Sequence, residues 1–276
     1  MRRRTVQSPV RIGGIGLHRG EYVTLTIRPS DEGGIVFVRG DTKIPASPEY
    51  VIDTTLNTTL GYKDVRISTV EHLMSAFYGL GITDCVVEID SDELPAMDGS
   101  ALLFVRHLQS SGIKELDQEV FPIVIDSPIV VGNSDSHVEI YPGSFCIRYR
   151  IEFTEPIIGD QEFVFSGSNY IEDIAPARTF GKLGDVEMMR SLGLAMGGGL
   201  HNAILLNGED LINPEGLRYR DEFVRHKMLD ILGDLWTLGA PIQGEIKAYK
   251  ANHRLHIELV KKIKEKIFGR NKGPLL

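Results

Sequence analysis

The chain predicts an α+β fold made of two halves of similar topology, on three observations. Short β-patterned runs fill both halves. Amphipathic helices follow them in the same order each time. One helical segment also matches another at a constant offset of 158 residues: His72-Leu-Met-Ser-Ala-Phe-Tyr-Gly-Leu-Gly81 lies against Asp230-Ile-Leu-Gly-Asp-Leu-Trp-Thr-Leu-Gly239. The shared apolar and Leu-Gly positions suggest a duplication, although two amphipathic helices ending in glycine can match by accident.

In the first half, Tyr22 to Ile27 alternates, and Gly34 to Val38 and Val86 to Ile89 are β-branched runs. A helix between them is expected to start at Ser68-Thr-Val-Glu71, the spacing of a capping box, and to stop at Leu80-Gly81. A second helix is expected from Ala101 to about Ser110, closed by Ser111-Gly112. The polar stretch Lys114 to Glu119 interrupts the pattern before a strand run from Phe121 to Val131, which places the domain boundary there: residues 1–117 and 118–276. The second half repeats the order with strands at Val138 to Tyr141, Phe145 to Phe153 and Glu162 to Phe165. A Gly-rich region, a helix from about Glu222 to Leu238, a strand near Gly244 to Tyr249 and a closing helix near Leu255 to Ile267 follow.

Composition narrows the function. At 276 residues, 42% hydrophobic and 25% charged, the chain is too apolar to be disordered. With 38 acidic against 30 basic residues the net charge is −8, so no nucleic-acid partner is expected. Apolar runs such as Ala101 to Val105 fall far short of the ~18 to 20 residues that cross a bilayer, so no transmembrane segment is expected. Arg2, Arg3 and Arg4 imitate a signal-peptide start, but Thr5, Gln7, Ser8 and Arg11 stand where the apolar stretch belongs, and a cytoplasmic protein is expected. Cys85 and Cys146 sit in strand-like runs without CxxC spacing and read as buried thiols.

The chemistry concentrates on the helix from Glu222. Val224, Met228, Ile231, Leu235 and Leu238 form a core stripe, while His226, Asp230 and Asp234 recur every four residues about 120° away. On a generic helix the polar stripe would be a solvated face. Here Leu229, Leu232 and Trp236 are apolar too and Gly233 has no side chain, so the helix is expected to be buried all round. Buried carboxylates need a cation, and histidine and aspartate at i, i+4 can grip one metal ion. Arg225 and Lys227 are the alternative cations, and their spacing points them to other faces of the helix. His72 is the best third ligand, because Glu71 beside it could activate water. From spacing alone two readings stand level, since Glu71 can equally be a helix cap and His72 a core histidine. His253, after a strand, is an acid–base candidate that could as well be a surface residue. The run Gly193 to Leu200 lacks G-K-[ST] and reads as a flexible turn rather than a phosphate loop. Asn57-Thr58-Thr59, a glycosylation sequon without a secretory route, carries no weight.

Across nearly its whole length the chain resembles the UDP-3-O-acyl-N-acetylglucosamine deacetylases, the zinc amidases of bacterial lipid A synthesis. The resemblance rests on Gly14-Ile-Gly-Leu-His18, Ser68-Thr-Val-Glu-His-Leu-Met74, Leu94-Pro-Ala-Met-Asp-Gly-Ser100, Ala177-Arg-Thr-Phe-Gly181, Gly216-Leu-Arg-Tyr219 and the run Asp221 to Asp234. It implies one catalytic zinc ion, with Fe2+ possible in the cell, held by His72, His226 and Asp230. It further implies Glu71 as general base, His253 as general acid or oxyanion stabiliser oriented by Asp234, and Thr179 bonding the oxyanion. Lys227, Lys250 and Phe180 are implied as substrate contacts. The implied fold has helices layered between two sheets and the site in the inter-domain cleft. The implied substrate is an acylated UDP-amino sugar, acted on by an enzyme expected to be a monomer. A hydrophobic insert near 186–206, with Met188, Met189, Leu192, Leu194, Met196 and Leu200, resembles the family's passage for the 3-O-acyl chain, a reading favoured over a simple hydrophobic hairpin under a loop because so many flexible apolar side chains suit an adaptable slot. Gly199-Leu-His-Asn202 departs from the family pattern, and His201 is expected at the surface. Three other readings are weighed: a structural metal site in a sugar-nucleotide-binding protein, a nucleotide-dependent phosphotransferase built on the Gly-rich run, and a zinc amidase for another N-acetylated substrate.

Overall fold

The computed structural model describes residues 1–269. Two five-stranded sheets, one from each half, carry the architecture. The first contains β1 (Val10–Ile15), β2 (Tyr22–Arg28), β3 (Ile35–Arg39), β4 (Thr42–Pro45) and β5 (Cys85–Ile89), in the order β1-β2-β5-β3-β4. The second contains β6 (Ile129–Gly132), β7 (His137–Tyr141), β8 (Cys146–Glu152), β9 (Asp160–Phe165) and β10 (Glu245–Tyr249), in the order β6-β7-β10-β8-β9. The last strand of each sheet enters its middle, parallel to one neighbour and antiparallel to the other. The two halves therefore share one topology, as the offset match suggested.

The helices are α1 (Glu71–Leu80), α2 (Leu102–Ser111), the short α3 (Tyr170–Asp173), α4 (Leu183–Ser191), α5 (Glu222–Trp236) and α6 (His253–Gly269). Helix α1 immediately precedes β5, and α5 precedes β10 with the two-residue strand Ile242–Gln243 between them. Helix α2 packs on β1, α5 on β8 and β9, and α6 on β6 and β7, while α1 lies across α5 and α2. One continuous core runs through both halves. The local reasons are visible in the sequence: Val23, Leu25 and Ile27 of β2 turn inward while Thr24 and Thr26 stay half-buried. Helix α1 ends on Gly81 at φ 65°, and the turn that follows α5 holds Gly239 at φ 74°.

The contact between α1 and α5 is unusually close. A Cβ built on Gly233 would lie 2.1 Å from the Glu71 carbonyl oxygen, so only glycine fits there. Tyr78 and Trp236 meet edge to face at 5.4 Å, and the Trp236 indole donates to the Ile82 carbonyl at 2.9 Å. These bonds tie the halves together at the helix ends.

Several expectations need correction. Residues 114–119 are no break: Ile113–Glu119 is a strand antiparallel to Arg2–Val6, held by backbone bonds that its polar composition does not forbid at an exposed edge. The run from Phe121 to Val131 is not one strand. Pro122 and Pro128 supply no N–H, and it divides into Ile123–Val124 and β6. The capping box does not form, because the helix starts at Glu71 itself, with Thr69 at φ 60° and the Ser68 hydroxyl donating to the Asp92 carbonyl at 3.1 Å. Cys85 is buried, but Cys146 is only half-buried. The Gly-rich region is more regular than expected: Phe180–Lys182 and Ile204–Asn207 pair in parallel around α4.

Replacing Gly233 with alanine should destabilise the protein by about 1–3 kcal/mol through the clash with Glu71. Gly184→Ala, where an added Cβ meets nothing within 4 Å, should leave stability within about 1 kcal/mol of the parent. Urea denaturation of the two variants checks the contrast.

Candidate metal centre and active site

Helix α5 is buried except at Arg225 and Lys227, as its composition predicted. Its position against the first turn of α1 brings His72 to His226 and Asp230. The His72 Nε2 lies 3.9 Å and the His226 Nε2 3.4 Å from the same oxygen, Asp230 Oδ1, and the two rings stand 5.1 Å apart. His226 Nδ1 is 3.1 Å from the Ala177 carbonyl. A carbonyl only accepts, so the proton sits on Nδ1 and the Nε2 lone pair faces Asp230. Asp230 Oδ1 is buried without a hydrogen-bond partner. A lone pair turned toward a solitary carboxylate oxygen, out of water, is repulsive without a cation between them, and these donor types suit a zinc-like ion.

One sequence expectation fails here. Lys227 does not point away: its Nζ reaches the other Asp230 oxygen, Oδ2, at 2.8 Å, since three residues along a helix bring a long side chain back over its neighbour. Lys227 thus neutralises part of the charge and leaves Oδ1 open. Arg225 does point elsewhere, to Asp221 and Asp173.

A second buried cluster adjoins the first. Asp234 Oδ2 accepts from His253 Nδ1 and His256 Nδ1, each at 2.8 Å, and Oδ1 accepts from the Thr58 hydroxyl at 2.5 Å. Three ligand atoms of Asp234, His253 and His256 also lie within 4.8 Å of one another. Here, unlike at Asp230, the carboxylate is already fully bonded. His253 Nε2 points back to Asp230 Oδ2 at 3.9 Å, so the two clusters face each other.

Glu71 opens α1 beside both clusters and accepts from the Thr58 N–H at 2.9 Å. Burial pushes its carboxyl up to about 7, against the pull of His253 and with the help of Asp234 and Asp230. Burial and then the neighbouring His226 hold His72 down to about 3, and burial lowers His226, so both are neutral and ready to ligate. Burial opposes charge on Asp230 too, but Lys227 and the surrounding imidazoles hold its carboxyl well below the usual range. For His253 burial is outweighed by Asp234 and Asp230, and its value rises to about 9. The site therefore sets a carboxyl poised near neutrality beside an imidazole that keeps its proton.

Thr179 and Phe180 approach from a strap. Arg178, 2% exposed, bonds Glu222 through Nε at 2.9 Å and Nη2 at 3.1 Å, and reaches Glu215 at 2.7 Å. This pair fixes the Ala177 carbonyl that orients His226. Phe180 lies 6.2 Å from the His226 ring, with Lys227 Nζ 5.5 Å above it. Thr179, Phe180, Leu17, Val186, Met189 and Leu205 line a cavity of about 70 Å³. Of the insert residues, Met189 faces that cavity, whereas Met188, Leu192 and Met196 are exposed. Leu194 lines a separate polar cavity with His18 and Asn57. Lys250 stands three residues before His253 at φ 49°, its Nζ 4.0 Å from Glu152. His201 is exposed, as expected.

Two residues at the site were not anticipated. Thr58 lies in a sequon and carries no local signal for this place. His256 could have been found, because three residues after His253 on a helix it shares the same face.

Residues 3–265 match the family described as UDP-3-O-acyl N-acetylglycosamine deacetylase. The chain is 46% identical over 265 residues to the UDP-3-O-acyl-N-acetylglucosamine deacetylase of Campylobacter hominis, covering 94% of this chain and 90% of that one. It is 44% identical over 269 residues to the protein of that name from Nautilia profundicola, with 95% and 92% covered. To that of Myxococcus xanthus it is 45% identical over 268 residues, with 94% and 85% covered.

Removing the open carboxylate, Asp230→Ala, should abolish retention of a divalent metal. Arg225→Ala should leave the metal content of the purified protein unchanged. Elemental analysis after dialysis distinguishes the two.

Proposed function

The chain belongs to the UDP-3-O-acyl N-acetylglycosamine deacetylase family, and from that premise we propose that it hydrolyses the N-acetyl group of a UDP-3-O-acyl-N-acetylglucosamine. The products are acetate and UDP-3-O-acyl-glucosamine, an early step of lipid A biosynthesis. The observation that carries the reading is Asp230 Oδ1, buried and unbonded, with two imidazole Nε2 atoms turned to it and Glu71 alongside.

In this reading His72, His226 and Asp230 hold one divalent ion, zinc or ferrous iron. Such an ion supplies Lewis acidity, polarising a carbonyl and acidifying water. Glu71 accepts the proton from the water that attacks the acetamide carbon. The Thr179 hydroxyl and protonated His253 donate to the oxygen as it becomes an oxyanion. Asp234 holds His253 through Nδ1, which leaves Nε2 to face the reacting atoms. The nitrogen leaves only when protonated, and His253 or Glu71 delivers that proton. Phe180 packs on the sugar ring, and Lys227 and Lys250 contact the substrate. The narrow cavity with Met189 and Val186 takes the acyl chain.

The amides of Met196 and Gly197 are already bonded to the carbonyls of His18 and Leu17, at 3.0 Å each. That speaks against the Gly-rich run cradling a phosphate. In this reading residues 1–117 and 118–276 are two domains with the site in the cleft between them. The shared strand order supports a division into halves, and the pairing of Ile113–Glu119 with Arg2–Val6 keeps that whole strand with the first half. A cytoplasmic monomer without nucleic-acid partners completes it. No helix among the described residues is long and apolar enough to cross a membrane.

Glu71→Gln should reduce deacetylation by at least about 100-fold while metal content is unchanged; near-normal turnover with a UDP-acyl-GlcNAc substrate refutes the base assignment. The pH profile of kcat/KM should be bell-shaped. It should rise as Glu71 loses its proton, at or below about 7, and fall as His253 loses its own, at or below about 9. A bound cation favours both unprotonated forms, so it moves each limb to lower pH. Met189→Trp should raise KM for long acyl chains and leave a short-chain substrate unaffected; equal effects on both refute the passage.

A further inference from the structure

His256 is fully buried beside the site and has no part in the chemistry above. It lies three residues after His253 on α6, so both imidazoles face α5 and both donate from Nδ1 to one oxygen, Asp234 Oδ2, at 2.8 Å. A carboxylate torsion is soft, with a broad two-fold well, and beyond His253 only the Thr58 hydroxyl, at 2.5 Å on Oδ1, holds this one. With His253 as its only partner, Oδ2 could swing and take the ring with it.

The far side of His256 is anchored as well. Its Nε2 is 3.0 Å from the Tyr149 hydroxyl on β8, and that hydroxyl lies 2.9 Å from the Ala251 carbonyl, two residues before His253. The one hydroxyl proton serves one of these two contacts at a time, and the ring with the Tyr149 hydroxyl fills the space between the α5 carboxylate, the β8 strand and the turn that delivers His253. An apolar side chain would fill this space without the desolvation cost of an imidazole, and it would make none of these links.

We propose that His256 is a positioning residue for the deacetylation, clamping Asp234 and the Ala251 turn so that His253 Nε2 stays aimed at the reacting atoms. The inference rests on the assignment of Asp234 and His253 above. It concerns geometry, so it should appear in kcat rather than in substrate binding or metal retention.

The test is steady-state kinetics on metal-loaded variants, with metal content and thermal unfolding measured on each. His256→Leu should lower kcat by about 10- to 100-fold with KM within about twofold and metal content unchanged. Asparagine places its amide nitrogen near the position of the imidazole Nδ1, so His256→Asn should recover kcat to within about threefold of the parent. Glutamine carries its amide farther out, toward Tyr149, and His256→Gln should stay close to His256→Leu. The inference is overturned if His256→Leu turns over within twofold of the parent, or if asparagine is no better than glutamine. Should the leucine variant fail to fold, the asparagine–glutamine comparison decides alone. Asp234→Asn and His253→Ala are measured alongside. Normal kcat in both overturns the reading of the site itself, whereas loss in both with a normal His256→Leu overturns only the role of His256.

Discussion

The crossing of α1 and α5 is the constraint on which the site depends. At Gly233 the α5 backbone comes so close to the Glu71 carbonyl that no Cβ can intervene. That approach sets the first turn of α1 against the middle of α5, and places Glu71 and His72 within reach of His226, Asp230 and Asp234. The two helices are equivalent elements of the two halves, each preceding the strand that enters the middle of its sheet. At the offset of 158, His72 corresponds to Asp230 and Tyr78 to Trp236. Both pairs of equivalent positions meet across the crossing. The duplication thus explains why a centre drawing on both halves lies between these helices.

Charge is then divided by neighbourhood. Asp230 and Asp234 are one helical turn apart and both excluded from water, yet they do different work. Thr58, His253 and His256 saturate Asp234, which keeps no oxygen open to a cation. Asp230 receives one lysine on one oxygen and nothing on the other, which leaves a lone pair for a cation. The same contrast separates the titrating groups. Glu71 has no cationic partner in direct contact, and burial raises it; His253 is held between two carboxylates, which keep it protonated despite burial. Arg178 and Glu222, away from the reacting atoms, compensate each other fully and stiffen the strap whose carbonyl orients His226.

Much of this was legible in the chain. The halves, their order of elements, the buried α5 and the stripe of His226, Asp230 and Asp234 follow from hydrophobic periods and from glycine positions, which act over a few residues and are therefore written locally. The positions of a ligand trio could be narrowed the same way, because spacing along a helix dictates which side chains share a face. Resemblance to a family supplied the roles that spacing left level, Glu71 above all. The structure removed the competing cap, since α1 begins at Glu71 rather than three residues earlier.

Contacts between distant segments were not legible. The bonds of Thr58 to Asp234 and Glu71, the return of Lys227 over Asp230, the outward turn of Met188, Leu192 and Met196, and the link from His256 through Tyr149 to Ala251 join residues whose separation in the chain carries no pattern. Periodicity reports which face of an element is buried, but not what lies opposite it. That is decided when the two halves close on each other at a glycine, where packing fixes the neighbours and the neighbours fix the charge.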